Sequence, residues 1–134
     1  MRKSKSAYMN YVCPYCWHTL NKCTCDLFPP YHLILIDMNI QEHIRILNEK
    51  GYHTIGCCEG HNKVCISTYI AFAKNYFKDN VNMPEGFKYD KKRNVVTYVY
   101  STKLTKENVE KLKKEKLEVL LKWCNDLPSR NTEN

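Results

Sequence analysis

Apolar residues recur along this chain with two periods, and each change of period marks an element. Residues 31–37 are apolar and β-branched at their centre, the pattern of a buried strand. Beyond them Ile40, Ile44 and Leu47 fall on one face of a helix. Asn39 can accept from the freed backbone N–H groups at the helix start, Glu42 completes an Asx form of the capping box, and Gly51 supplies a left-handed stop. Residues 52–57 read as a second strand, which enters a loop at 58–63. A third strand covers 64–73, where Ile66, Thr68, Ile70 and Phe72 occupy alternate positions. Residues 75–86 are turn-rich and mostly polar; 87–89 and 95–100 then form a hairpin across 90–94. The last element is a helix over about 106–125, capped by Thr105 and ended by Pro128. Its apolar stripe is Val109, Leu112, Leu120 and Trp123, with Leu117, Leu121 and Cys124 beside it. The order predicts an α+β fold, a two-layer sandwich of a mainly antiparallel sheet with two helices.

Upstream of this body the pattern is set by cysteine. Cys13-Pro14-Tyr15-Cys16 presents two thiols from one tight turn, and Cys23-Thr24-Cys25 offers two more after six intervening residues. Four soft donors so clustered suit a tetrahedral Zn2+ ion, and four cysteine ligands leave no open coordination position, so the site is expected to be structural. The single spacer in the second pair is shorter than usual, and His18 could replace one cysteine. Tyr15, Trp17 and His18 either pack over the metal or present a contact surface. The chain therefore divides into a flexible basic arm (1–10), a zinc knuckle (11–28), an α+β domain (31–127) and a polar tail (128–134), with Pro29 and Pro30 as a hinge.

Composition narrows the function classes. With 134 residues, 43% hydrophobic and 26% charged, the chain has the size and balance of one globular domain. Its longest apolar stretch, 33–36, cannot cross a bilayer, and no apolar run follows Arg2, Lys3 and Lys5, so a cytoplasmic protein without a membrane partner is expected. Eight cysteines in that setting imply reduced thiols and metal rather than disulfides. A net charge of +7 favours anionic partners, nucleotides or nucleic acid among them.

The second concentration of chemistry is Cys57-Cys58-Glu59-Gly60-His61, where a strand enters a loop. Gly60 permits a positive φ, and the adjoining N–H groups could form an anion-holding nest. Cys58, Glu59, Gly60 and His61 are candidate ligand-binding residues; if the protein is an enzyme, Cys58 and His61 are the candidate catalytic pair, since His61 is the local base that could raise the thiolate fraction. A structural turn with buried thiols is the competing reading. A second metal site would draw on Cys57, Cys58, His61 and Cys65, with His53 or Cys124 as a distant ligand.

Residues 40–72, with Leu47-Asn48, Gly51-Tyr52-His53-Thr54, the Cys57–His61 motif and Tyr69-Ile70-Ala71-Phe72, resemble a segment of small phage and Firmicutes proteins. The same stretch, about a quarter of the chain, is more distantly similar to the tRNA wybutosine-synthesis methyltransferase family, in which a helix and strand lead into a Ser-Cys-Ser-Gly-Arg motif. Glu59 stands where that family has serine and His61 where it has arginine. The resemblance implies a phage-encoded protein acting in the host cytoplasm, and a nucleotide-handling site at Cys58, Gly60 and His61 with S-adenosylmethionine as cofactor.

Residues 88–116 carry ten lysines and arginines against four acids, and Lys91, Lys92 and Arg93 concentrate at the hairpin turn. These three are candidate phosphate contacts, with Tyr89, Tyr98 and Tyr100 close in sequence as stacking partners. The expected function is a zinc-containing nucleotide- or nucleic-acid-binding protein that sequesters its ligand. The alternatives are an RNA- or nucleotide-modifying, methyltransferase-like enzyme centred on Cys58 and His61, and a protein–protein adaptor using the knuckle.

Overall fold

Thr68, Ile70 and Phe72 are buried while Ser67, Tyr69 and Ala71 between them are only half-buried, because successive side chains of a strand point to opposite faces. That alternation decides which side of the sheet receives the helices. The computed structural model describes residues 9–19, 22–25, 34–60, 66–77 and 82–130. Its elements are β1 (Met9–Val12), β2 (Ile34–Asp37), α1 (Gln41–Glu49), β3 (Thr54–Cys58), β4 (Ser67–Phe72), β5 (Lys88–Asp90), β6 (Val95–Val99) and α2 (Lys106–Asp126). The arm at 1–8, the Pro29-Pro30 hinge, the strand start at 31–33, His61, Cys65 and residues 131–134 lie outside the described residues.

The architecture is the expected α+β class. Four strands form an antiparallel sheet in the order β3-β4-β6-β5, and β1 pairs antiparallel with β2 in a separate two-stranded ribbon. The ribbon was not foreseen. Met9 and Asn10, given to the basic arm from the sequence, belong to β1, and of the strand read at 31–37 the described part, Ile34–Asp37, has β1 as its ladder partner. One core joins Val12 and Ile36 of the ribbon, Ile44 and Leu47 of α1, Ile70, Phe72, Tyr89 and Val96 of the sheet, and Leu117, Leu120, Trp123 and Cys124 of α2. Burying each of the large apolar side chains contributes roughly 1.5–3 kcal/mol, so this face of the sheet is the one held by the helices.

The two helices end differently from one another. α2 begins as its sequence predicts, with Thr105 Oγ1 accepting the Asn108 N–H at 3.1 Å. α1 does not: its N-cap is Ile40, with no side-chain cap. Asn39 donates instead to the buried Glu59 carboxylate, and Glu42 pairs with Arg45, so the predicted capping box is replaced by a long-range bond. Gly51 stops α1 with φ at +95°. The adjoining Lys50 closes α2: its Nζ donates to the carbonyls of Cys124, Asn125 and Leu127 at 3.0, 2.7 and 2.6 Å, satisfying acceptors that a helix end leaves open. Residues after α2 continue across the body, where Tyr52 Oη donates to the Pro128 carbonyl and the Arg130 guanidinium lies 4.7 Å from the Tyr76 ring. Tyr76 and Phe77, in the segment read as polar turn, form an aromatic cluster with Tyr52 and Phe72.

His43 joins the helices. It is buried, with Nε2 2.8 Å from the Leu117 carbonyl and Nδ1 without a hydrogen bond. Nε2 therefore carries the proton in the neutral ring and donates it. Burial holds the His43 pKa below the ordinary histidine value, despite the opposing Leu117 carbonyl and Glu42. The native state thus favours the neutral ring. Its contribution should be fully present above about pH 6.5, the unfolded value, and should fall away as acidification protonates the unfolded chain first. Urea midpoints measured from pH 7.5 to 5 should decline, and His43→Gln should flatten that decline; an equal decline in both proteins would refute the assignment.

Candidate functional site

The cysteine turn grows directly out of β1. The Cys13 N–H donates to the His18 carbonyl at 3.0 Å, the Trp17 N–H donates to the Cys13 carbonyl at 2.7 Å, and Val12 bridges Thr19. Trp17 takes the left-handed conformation, φ +62°, that reverses the chain after Cys16. This folding brings the Sγ atoms of Cys13, Cys16, Cys23 and Cys25 within 4.8 Å of one another. Four sulfurs each roughly 2.3 Å from a zinc ion would stand about 3.8 Å apart, so the observed cluster needs only a slight contraction. The four cysteines could hold a metal ion. They are the one group of three or more metal-ligating side chains among the described residues, and His18 is not in it.

Cys13 is fully buried and the other three thiols are half-buried. Burial, followed by hydrogen bonds with the Cys16, Cys13 and Cys23 thiols, pushes the Cys25 pKa up to about 12. Cys25 thus resists ionisation, whereas a dication binds the thiolate form and reverses that bias. The donor set accordingly suits a soft divalent metal.

The Cys57–His61 motif lies where β3 leaves the sheet beside the end of β2, and the structure describes it as far as Gly60. Glu59 turns inward and is 2% exposed. Its carboxylate accepts the Asn39 N–H at 2.8 Å, Asn39 Nδ2 at 3.1 Å and Lys113 Nζ at 3.4 Å, tying β3 to the entrance of α1 and to α2. The Glu59 N–H donates to Asp37 Oδ2 at 2.9 Å, and the Gly60 N–H points to Cys58 Sγ at 3.4 Å. Among the described residues, the N–H groups of Glu59 and Gly60 at the expected anion nest are engaged internally, and the anion held by the Glu59 N–H is the protein's own Asp37 carboxylate. Gly60 does adopt a positive φ, +98°, and a Cβ there would meet Thr68 Oγ1 and the Tyr100 ring, each at 3.2 Å. Both constraints require glycine.

Of the cysteines in this region, Cys57 packs against the core, and burial, then the Asp37 and Glu59 charges, push its pKa up to about 12. Cys124 is buried and likewise pushed up to about 12 by burial. His53 is exposed. Cys58 is buried, and its pairing with Tyr69 turns it to the opposite side of the sheet from Cys57.

The hairpin turn is built by Asp90, whose Oδ1 accepts the N–H groups of Lys92 and Arg93 at 3.1 and 3.3 Å, and by Asn94 at φ +57°. Lys88, Lys91, Lys92 and Arg93 are all exposed there. The tyrosines paired with them from the sequence point elsewhere. Tyr89 and Tyr100 are buried, and Tyr98 packs beside the core with Lys116 of α2 4.9 Å from its ring. The aromatic residue that shares the outer side of the sheet is Tyr69, opposite Thr97, which is opposite Lys88. Tyr69 was not singled out from the sequence, although it sits between the inward-facing Thr68 and Ile70 and the period-two pattern marks it as outward.

Among the described residues, no helix is long and apolar enough to cross a membrane. Comparison of the chain with protein-family models, with curated proteins and with solved structures finds no match in any of the three.

Proposed function

We propose that this chain is a zinc-stabilised protein that binds nucleotides or nucleic acid. Zn2+ would be held by Cys13, Cys16, Cys23 and Cys25, and a complete set of four thiolates gives it a structural rather than a catalytic part. The observation that carries the binding reading is the exposed hairpin turn, where Lys91, Lys92 and Arg93 stand together at the edge of a sheet. Clustered exposed cations attract phosphate and release its counterions on binding. The resemblance of residues 40–72 to a nucleotide-handling family supports the same reading. A buried Cys58 and a Cys57 thiol held protonated favour binding over covalent chemistry at this loop.

The test uses a labelled oligonucleotide and fluorescence anisotropy. Wild-type protein should bind it at low salt, and affinity should fall by roughly 20- to 40-fold between 50 and 200 mM salt if three phosphates are engaged. Charge reversal of Lys91, Lys92 and Arg93 together should weaken binding and flatten that salt dependence. Binding that ignores salt, or a charge-reversed protein that binds as well as wild type, would reject the reading.

A further inference from the structure

We infer that the outer face of the four-stranded sheet is a docking surface for single-stranded nucleic acid, with Tyr69 as the platform on which a base stacks. The inference rests on the proposed nucleic-acid reading and names the site and strandedness of the ligand. One cross-strand row of the outer face runs Lys88, Thr97, Tyr69, Cys58, and the next runs Asp90, Val95, Ala71, Gly56. The helices pack on the other face, where Ile70, Val96 and Tyr89 enter the core.

The side chains around Tyr69 are small. Ser67, Val95, Thr97 and Val99, with Asp90 and Arg93 at the rim, surround a shallow depression of about 450 Å³ over the sheet. Val99 is 60% exposed on this side. Tyr69, half-buried, places an aromatic ring in the lining of this depression among short side chains. Adjacent strands lie about 4.8 Å apart, so the part of the row outside the core, from Lys88 to Tyr69, spans roughly 10 Å, enough for one or two nucleotides.

Charge selects the occupant. Between Lys88 and Arg93 the hairpin carries four cations and one carboxylate: Arg93 and Asp90 line the depression, Lys88 ends the row that carries Tyr69, and Lys91 and Lys92 are exposed in the adjoining turn. An anionic chain that also presents flat, unpaired rings meets both features. Duplexes hide their base faces in the stack, whereas single strands expose them to aromatic side chains. The same row joins the two regions singled out from sequence, the basic hairpin at one edge and Cys58 at the other.

Anisotropy titrations with a mixed-sequence 12-mer, as single-stranded RNA, single-stranded DNA and the corresponding duplexes, test the inference. The single strands should bind more tightly than the duplexes. Tyr69→Ala should weaken single-strand binding by about tenfold with the salt dependence retained, and Tyr69→Phe should keep wild-type affinity. Val99→Glu, a change at an exposed position, should also weaken binding and controls for misfolding of the alanine variant. If wild-type protein binds no oligonucleotide at low salt, the nucleic-acid reading itself fails. If wild type binds and Tyr69→Ala and Val99→Glu bind equally well, or duplexes compete as effectively as single strands, this surface is not the site. A wild-type dimer that Tyr69→Ala converts to monomer would assign the face to a second copy and overturn the inference.

Discussion

Reduced Cys16→Ser protein should contain no stoichiometric zinc and should melt well below wild type, and wild type in strong chelator should behave the same way. A serine hydroxyl does not ionise at neutral pH, so three thiolates would remain and the fourth position of the tetrahedron would fall to water, which weakens retention of the ion. The turn that carries these cysteines has little apolar core of its own. In small knuckles, zinc delivers on the order of 10–16 kcal/mol of apparent folding free energy, and losing a fraction of that suffices to open this one. The damage should not stop there, because Val12, one residue before Cys13, is 1% exposed and belongs to the main core. Metal analysis by plasma mass spectrometry and thermal melts followed by circular dichroism provide the readout. The helical signal of α2 should survive at room temperature while the midpoint drops. Metal-free protein with an unchanged midpoint would remove the structural role assigned to the cluster.

Glu59→Ala should cost about 3–5 kcal/mol, the usual penalty for removing one partner of a buried charge pair. Lys113, with an 11% exposed side chain, would keep Glu110 at 3.2 Å but lose its buried counter-charge. Asn39 would lose both acceptors at the entrance to α1. Glu59→Gln should cost less, since an amide oxygen can still accept the Asn39 N–H. Urea denaturation distinguishes the cases through the midpoint at constant m. A loss under about 1 kcal/mol for the alanine variant would mean that the junction of β2, β3 and the helices is held by packing alone.

Glu59 also illustrates what could be read from the sequence and what could not. Its position in a compact polar motif beside glycine suggested contact with a ligand, yet the carboxylate acts as an internal bolt. Local pattern carries no information about an acceptor twenty residues away, which is why Asn39 was assigned to its own helix instead. Where the determining interaction is local, the reading holds: Thr105 caps α2, Gly51 ends α1, Gly60 has the positive φ its motif demands, and the period-two stripe of Thr68, Ile70 and Phe72 is buried. The β1–β2 ribbon was illegible because Met9–Val12 is a short strand with two partly buried residues, one exposed and one buried, and its partner lies some 25 residues away along the chain. The four-cysteine cluster was legible because spacing alone implies a shared centre. The tyrosines misled because proximity in sequence says nothing about face: Tyr89 and Tyr98 alternate inward, and Tyr69, on a different strand, alternates outward.

The reach of Lys50 has a bearing on synthesis. Its ammonium grips carbonyls at residues 124, 125 and 127, so bonds made by the end of the first helix wait for partners 74 to 77 positions later. During translation the strands emerge before α2, leaving Ile70, Phe72 and Val96 without their roof until that helix has left the ribosome. A nascent chain halted before residue 106 would present an uncovered greasy sheet, the kind of surface that chaperones shield.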